Sequence, residues 1–221
     1  MNRVPAGVPT TFQNIYTPDG RIQTISGRAA ALTFDDIPIA WRQPRIVHLA
    51  PVAGEVDPAL AESFPGALLA LTPQGWMRQW DGAGRVQYRR WPHAQRMLEQ
   101  AQAVVLSIED VRGDEALLRE YAGKTRVLVV TRGARGCTLF VGGQTYDIPA
   151  LDVAERDPTG AGDIFAAAFF ARLHATGDPF GAARFATALA GDSVTRAGLD
   201  SIPSAETARR ALQSQSGGKH A

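Results

Sequence analysis

The sequence predicts an α/β protein, with a doubly wound, mainly parallel sheet, helices on both faces and a small N-terminal β-hairpin. Three observations carry this expectation. AVVLSI (Ala103 to Ile108) and RVLVVT (Arg126 to Thr131) are apolar at consecutive positions, as strands buried on both faces are. These runs alternate with segments of helical spacing, the order of a parallel sheet built from crossover units. Further on, CTLFV and TYDIP flank the turn GGQ (Gly142 to Gln144), which adds a hairpin and an antiparallel edge.

Taken in order, Thr11 to Thr17 and Arg21 to Ser26 flank the turn Pro18-Asp19-Gly20 and form the one hairpin read in the first half. RIVHLA (Arg45 to Ala50) is a short β-branched strand. DPALAESF follows as an amphipathic helix, with Asp57 at the cap and Pro58 in the first turn. Ala67 to Thr72 is another apolar strand, stopped by TPQG. Helical spacing returns over His93 to Gln102, and Asp114 caps a second helix that ends on Gly123. Two helices close the fold. One follows the turn Gly160 to Gly162; the other opens with Asp178 as N-cap and Pro179 at the first helical position. The small, polar stretch Ser214 to Ala221 reads as a disordered tail, and residues 1–221 as one domain.

Composition removes several function classes. With 23 Lys plus Arg against 22 Asp plus Glu, the charge of +1 gives no electrostatic footprint for nucleic acid. No run of apolar residues is long enough to span a bilayer, so no membrane partner is expected. The single cysteine, Cys137, has no partner for a disulfide or a metal, which favours a reducing, cytoplasmic compartment. His48, His93, His174 and His220 lack metal-ligand spacing and read as surface or partly buried imidazoles.

The chemistry concentrates in DPTGAGDIFAAAFFARL (Asp157 to Leu173), where a glycine-rich turn runs into an apolar helix with Asp163 at its mouth. Glycine permits both signs of φ and close approach, so backbone N–H groups converge there beside the positive end of the helix dipole. Such a turn stabilises an anion, and a neighbouring carboxylate can take a proton from an attacking hydroxyl. The bland alternative is a first-turn acid favoured by the dipole alone.

The longer string resembles the signature of the ribokinase-like (PfkB) carbohydrate kinase family: an acid, any residue, Thr-Gly-Ala-Gly-Asp, any residue, Phe. Asp157, Thr159, Gly160, Ala161, Gly162, Asp163 and Phe165 all match it. The resemblance implies a phosphotransferase using ATP and Mg²⁺ on a hydroxyl of a small sugar, polyol or nucleoside-like acceptor. By it, Asp163 is the general base and touches the acceptor, while Gly160, Ala161 and Gly162 form the anion hole for the γ-phosphate. Thr159 falls beside the nucleotide, and Asp157 and Thr159 lie where the family often holds a monovalent cation such as K⁺. VVTRGARGCTLF resembles the family's nucleotide-holding strand and turn, through Thr131, Gly133 and Gly136. TALAGDSVTRAG resembles the closing helix and the loop beside the adenine, with Ser193 and Gly198 as candidates. LSIED stands where the family carries Asn-x-x-Glu, with Ser107 for Asn and Asp110 for Glu. Asp110 keeps an oxygen suited to Mg²⁺ or its water shell. A simple helix cap is the competing reading.

HLAPVAGEVDP and LTPQGWMRQWD are similar to a branch of the family with inositol kinase-like members. That places Gln74, Gly75, Trp76 and Arg78 on the ligand side, for an acceptor that stacks on a ring and meets a guanidinium. The competing reading has Trp76, Trp80 and Trp91 covering a loop or interface. The hairpin at about residues 10–30 resembles the family's lid, and the opening strand and Gly-Gly stretch that grip the acceptor are not seen before Thr11. Three expectations follow: a piece of a longer protein, a site completed in a homodimer, or a nucleotide or metabolite sensor without catalysis. A scaffold role needs the glycine turn to be incidental.

Overall fold

The computed structural model describes residues 4, 5, 7–17 and 20–216. Its centre is a six-stranded sheet built from β3 (Ile46–Leu49), β4 (Leu68–Leu71), β7 (Ala103–Ser107), β8 (Val127–Thr131), β9 (Cys137–Val141) and β10 (Gln144–Ile148), in the order β10-β9-β8-β7-β4-β3. β3, β4, β7 and β8 run parallel, and β9 and β10 add the antiparallel edge. Alternation along each strand feeds two cores. Val104, Leu106, Leu128 and Val130 pack with α1 (Ala94–Gln100) and α2 (Glu115–Ala122). Ala103, Val105, Val127 and Val129 pack with α3 (Ala161–Thr176) and α4 (Pro179–Ser193) on the other face. This double burial is why the strands read as unbroken apolar runs.

The N-terminal hairpin joins β1 (Thr11–Thr17) to β2 (Gly20–Gly27) antiparallel. Pro18 and Asp19 of its turn lie outside the described residues. A second hairpin, β5 (Arg78–Trp80) with β6 (Val86–Tyr88), was not expected in this half of the chain. Its turn closes around the Asp81 carboxylate, which accepts from the amides of Ala83 and Arg85. The Gly84 carbonyl then accepts from Ile25 N–H at 2.9 Å, and a Cβ on Gly84 would stand 2.4 Å from the Ile25 carbonyl oxygen. That close approach ties the first hairpin to the body of the fold.

Two further expectations are corrected. The segment after Asp57 is a 3₁₀ turn over Pro58–Glu62, because Ser63 N–H closes onto Leu60 and an extended strand follows within a few residues. Ser214 to Ser216 are not a disordered tail but the last turn of α5 (Ala205–Ser216), whose Ala211 packs on Phe185 and Leu189 of α4. Residues 217–221 of the expected tail lie outside the described residues. Among the described residues, no helix is long and apolar enough to cross a membrane.

Candidate active site

The strand ends and the start of α3 enclose a cavity of about 400 Å³, lined among others by Gln74, Ser107, Glu109, Asp110, Thr131 and Gly162. Its position outside the carboxyl ends of parallel strands is where doubly wound sheets place ligands. Gly133, Gly136, Ala161 and Phe165 also face it. The lining also includes Leu151, Val153, Ala190, Gly191 and Val194, an apolar slot between the 150–158 loop and α4 where the Leu151 side chain lies against Gly191.

The mouth of α3 is built by Gly160, which caps the helix with φ 82°, a left-handed conformation costly for other residues. Ala161 N–H is taken by the Pro158 carbonyl at 3.1 Å, whereas the first intrahelical bond from Ile164 reaches Gly160 at 2.9 Å. The amides of Gly162 and Asp163 between them have no partner among the described residues. Of the residues expected to bind an anion, Gly162 thus presents a free donor and Ala161 does not, while Asp163 adds one from its own backbone. The Asp163 side chain stands exposed on the first turn, as the sequence places it.

The turn after β8 is shaped by Gly136, whose φ is 90° and whose Cβ, if present, would lie 2.0 Å from the Ile148 carbonyl oxygen. Arg132 and Gly136 close it with an N–H to O bond of 2.7 Å. The loop before α3 is clipped to the end of α4. Arg156 and Asp157 amides both donate to Val194 O, and Asp157 accepts from Thr159 N–H at 2.9 Å and Gly198 N–H at 3.4 Å. Bonds from Thr159 and then Gly198 hold the Asp157 carboxyl below the usual carboxylate range. Asp157, Thr159 and Gly198 therefore brace the loop outside the cavity wall.

Asp110 takes the place that the cap reading gives it. Its Oδ2 accepts from Ser107 N–H at 2.8 Å, and Ser107 Oγ accepts from Glu109 N–H, a reciprocal cap on the 3₁₀ turn Ile108–Val111. Its Oδ1 accepts from Gln74 Nε2 at 2.8 Å within the cavity wall. Burial pushes the Asp110 carboxyl above its ordinary range, against the opposing pull of those two bonds and of the Arg78 charge. Glu109, one position earlier and exposed into the same cavity, was missed by sequence reasoning. Its only signal was adjacency to Asp110, and an acid beside a cap reads as a first-turn acid.

Three expected site residues are placed elsewhere. Trp76 is 2% exposed, stacks on Trp91 with centroids 5.8 Å apart and donates its indole N–H to Val56 O at 2.9 Å, so it is a core residue. Arg78 is outside the cavity lining: it donates to Val52 O at 2.9 Å and lies over the Phe12 ring, joining a loop to the hairpin, while its charge acts on Asp110. Ser193 is 1% exposed and donates its hydroxyl back to Ala190 O, a bond inside its own helix.

His48, one of the histidines read as bland, points from edge strand β3 toward α3. Its Nε2 lies 3.0 Å from Thr72 Oγ1 and its ring meets Phe170 edge-on at 4.9 Å. One side of the ring is open at the sheet edge, yet packing of the other depresses its pKa, partly offset by the Asp163 charge. Among the described residues no group of three or more His, Cys, Asp or Glu forms a metal cluster.

Comparison with known proteins agrees with this architecture. Residues 92–207 match the family model described as pfkB family carbohydrate kinase. A fructokinase of Escherichia coli is 31% identical over 157 residues, which cover 64% of this chain and 50% of that protein. A cytidine kinase of Thermococcus kodakarensis is 24% identical over 173 residues, covering 72% of this chain and 59% of that one. The chain thus spans about half the length of the curated relatives it matches. A sulfate complex of a pyrophosphate-dependent kinase in the ribokinase family superposes with a TM-score of 0.75 at 20% identity, over 94% of this chain and 75% of that one.

Proposed function

The chain belongs to the pfkB family of carbohydrate kinases, and on that premise we propose that it moves the γ-phosphoryl group of ATP to a hydroxyl of a small sugar, polyol or nucleoside-like acceptor. The observation that carries the reading is the mouth of α3, where Gly162 lines the cavity, the Gly162 and Asp163 amides have no partner among the described residues, and the next residue's carboxylate, Asp163, is exposed.

In this reading the acceptor oxygen attacks the γ-phosphorus while its proton passes to the Asp163 carboxylate, and the bond from phosphorus to the β,γ-bridging oxygen breaks to release ADP. The Gly162 and Asp163 amides, with the positive end of the α3 dipole, offset the charge on the transferring oxygens. The slot of Leu151, Val153, Ala190 and Val194 suits a purine base. Mg²⁺ would neutralise the phosphate oxygens of the donor. The donor set fits an ion held mainly by phosphate and water, with Glu109 supplying a free carboxylate, since both oxygens of Asp110 accept bonds from protein groups. Asp157, likewise engaged by two amides, leaves any K⁺ to be held by carbonyl oxygens of its loop.

Pyrophosphate is the second donor to weigh, because the structural relative is named for it. The apolar slot favours a nucleotide, as pyrophosphate has nothing to place there. Transfer is measured with ATP and with pyrophosphate across sugars, inositols and nucleosides, with and without Mg²⁺ and K⁺. Acceptor-dependent ADP release supports the reading. Turnover with pyrophosphate alone reassigns the donor, and silence across the panel with nucleotide still bound favours a sensor.

A further inference from the structure

A large groove lies away from the candidate active site. It measures about 1220 Å³ and runs between α2, from Glu115 to its end, and the strands β9 and β10. Arg119, Arg126, Arg132 and Arg135 line it against two carboxylates, Glu115 and Asp147. Both carboxylates are engaged: Glu115 receives Arg132 through Nη1 at 2.6 Å and Nη2 at 3.1 Å, and Asp147 accepts from Thr138 Oγ1 at 2.7 Å. Arg132 is fixed again by Nε donating to Thr138 Oγ1. Arg119, Arg126 and Arg135 are exposed and hold no carboxylate at ion-pair distance among the described residues.

A concave surface with three uncommitted guanidiniums has the chemistry of a phosphate site, because each planar fork can take two oxygens of one anion. The near-neutral chain gives no broad basic face for a nucleic acid, so the charge is local and suits a small ligand. We propose that this groove binds a small metabolite carrying at least two phosphate charges, through Arg119, Arg126 and Arg135, and that the bound anion changes nucleotide affinity at the active site.

The second half of the proposal follows from one turn. Arg132 and Arg135 face the groove, while Thr131, Gly133, Ala134 and Gly136 of the same turn face the candidate nucleotide cavity. Gly136 packs against the carbonyl of Ile148 with no room for a Cβ, so a single tightly packed turn carries both faces. Coupling between the two sites is reciprocal by linkage. This half rests on the reading of that cavity as a nucleotide site, and the binding half does not.

The test titrates inorganic pyrophosphate into the full chain by calorimetry, alone and with ADP saturating, for the wild type and for Arg126→Gln with Arg135→Gln. Both side chains are exposed, so the double variant leaves the cores intact. The proposal expects a binding event that survives ADP and weakens roughly tenfold or more in the double variant. It also expects ADP affinity to change by about fivefold or more on adding pyrophosphate. An event abolished by ADP places the anion at the α3 mouth and overturns the groove site, as does unchanged affinity in the double variant. Unchanged ADP affinity overturns the coupling. Failure of ADP to bind at all overturns the proposed function, while the double variant still decides the groove.

Discussion

Two loop systems of this molecule share a composition of glycine, tryptophan or proline, arginine and acid, and only one of them leaves chemistry exposed. In the loops after β3 and β4 every strong polar group is consumed internally. Glu55 accepts from Val52 and Ala53 amides, Arg28 donates to Ala53 and Gly54 carbonyls, Gly75 N–H meets Pro51 O, and Trp76 and Arg78 bond to Val56 and Val52 carbonyls. At the mouth of α3 the glycines instead hold open two amides and a carboxylate. The same residue types build a platform when their partners lie in the protein, and a site when the partners are missing.

The largest effect that sharpens this contrast belongs to the platform. Trp76→Ala removes a buried indole stacked on Trp91 and should cost about 3–5 kcal/mol of unfolding free energy, read by denaturant titration. A loss below about 1 kcal/mol would return Trp76 to the surface and to acceptor binding. Gly136→Ala comes next. It places a Cβ against a carbonyl oxygen and forces a left-handed φ, a strain of at least about 1–3 kcal/mol, and the nucleotide affinity should fall with the midpoint.

Between platform and site stands Gln74. Replacing it with Leu removes a bond to ionised Asp110 and should move that carboxyl further upward in a carbon NMR titration. A raised carboxyl pKa means the fold favours the protonated form, so its contribution is present below the unfolded value of 3.8 and is lost as pH rises through the folded one. A downward or absent movement would separate Gln74 from Asp110.

The smallest effect concerns His48. Its folded pKa lies below the ordinary 6.5, so the unfolded chain takes up a proton that the fold resists, and stability should decline as pH falls through that value. His48→Leu should flatten that part of the pH profile, and an unchanged slope would mean that the imidazole is solvated in the fold.

Much of this architecture was legible because its cause is local. The runs Ala103–Ser107 and Val127–Thr131 show burial on two faces, Asp114 and Asp178 accept from the amides their positions predict, and Gly160 marks the start of α3. Elements with thin local signals escaped. β5 and β6 are short and take their place from Gly84 meeting Ile25, and α5 is a mostly polar helix whose few apolar residues, Ala208, Ala211 and Leu212 among them, gain meaning only against Phe185 and Leu189. Trp76 stayed open between two readings for a related reason: its partners, Val56 O and Trp91, lie far along the chain, and a tryptophan after a strand looks the same whether it faces a ligand or a core. Glu109 was hidden by the cap beside it.

The most direct test of the central claim is Asp163→Asn, measured for phosphoryl transfer and for nucleotide binding in the same preparation. The account predicts a fall in kcat of about 10²–10⁴-fold with nucleotide affinity largely kept, because the backbone amides that meet the phosphate remain while the proton acceptor is gone. Transfer at the wild-type rate would contradict it and remove Asp163 from the chemistry.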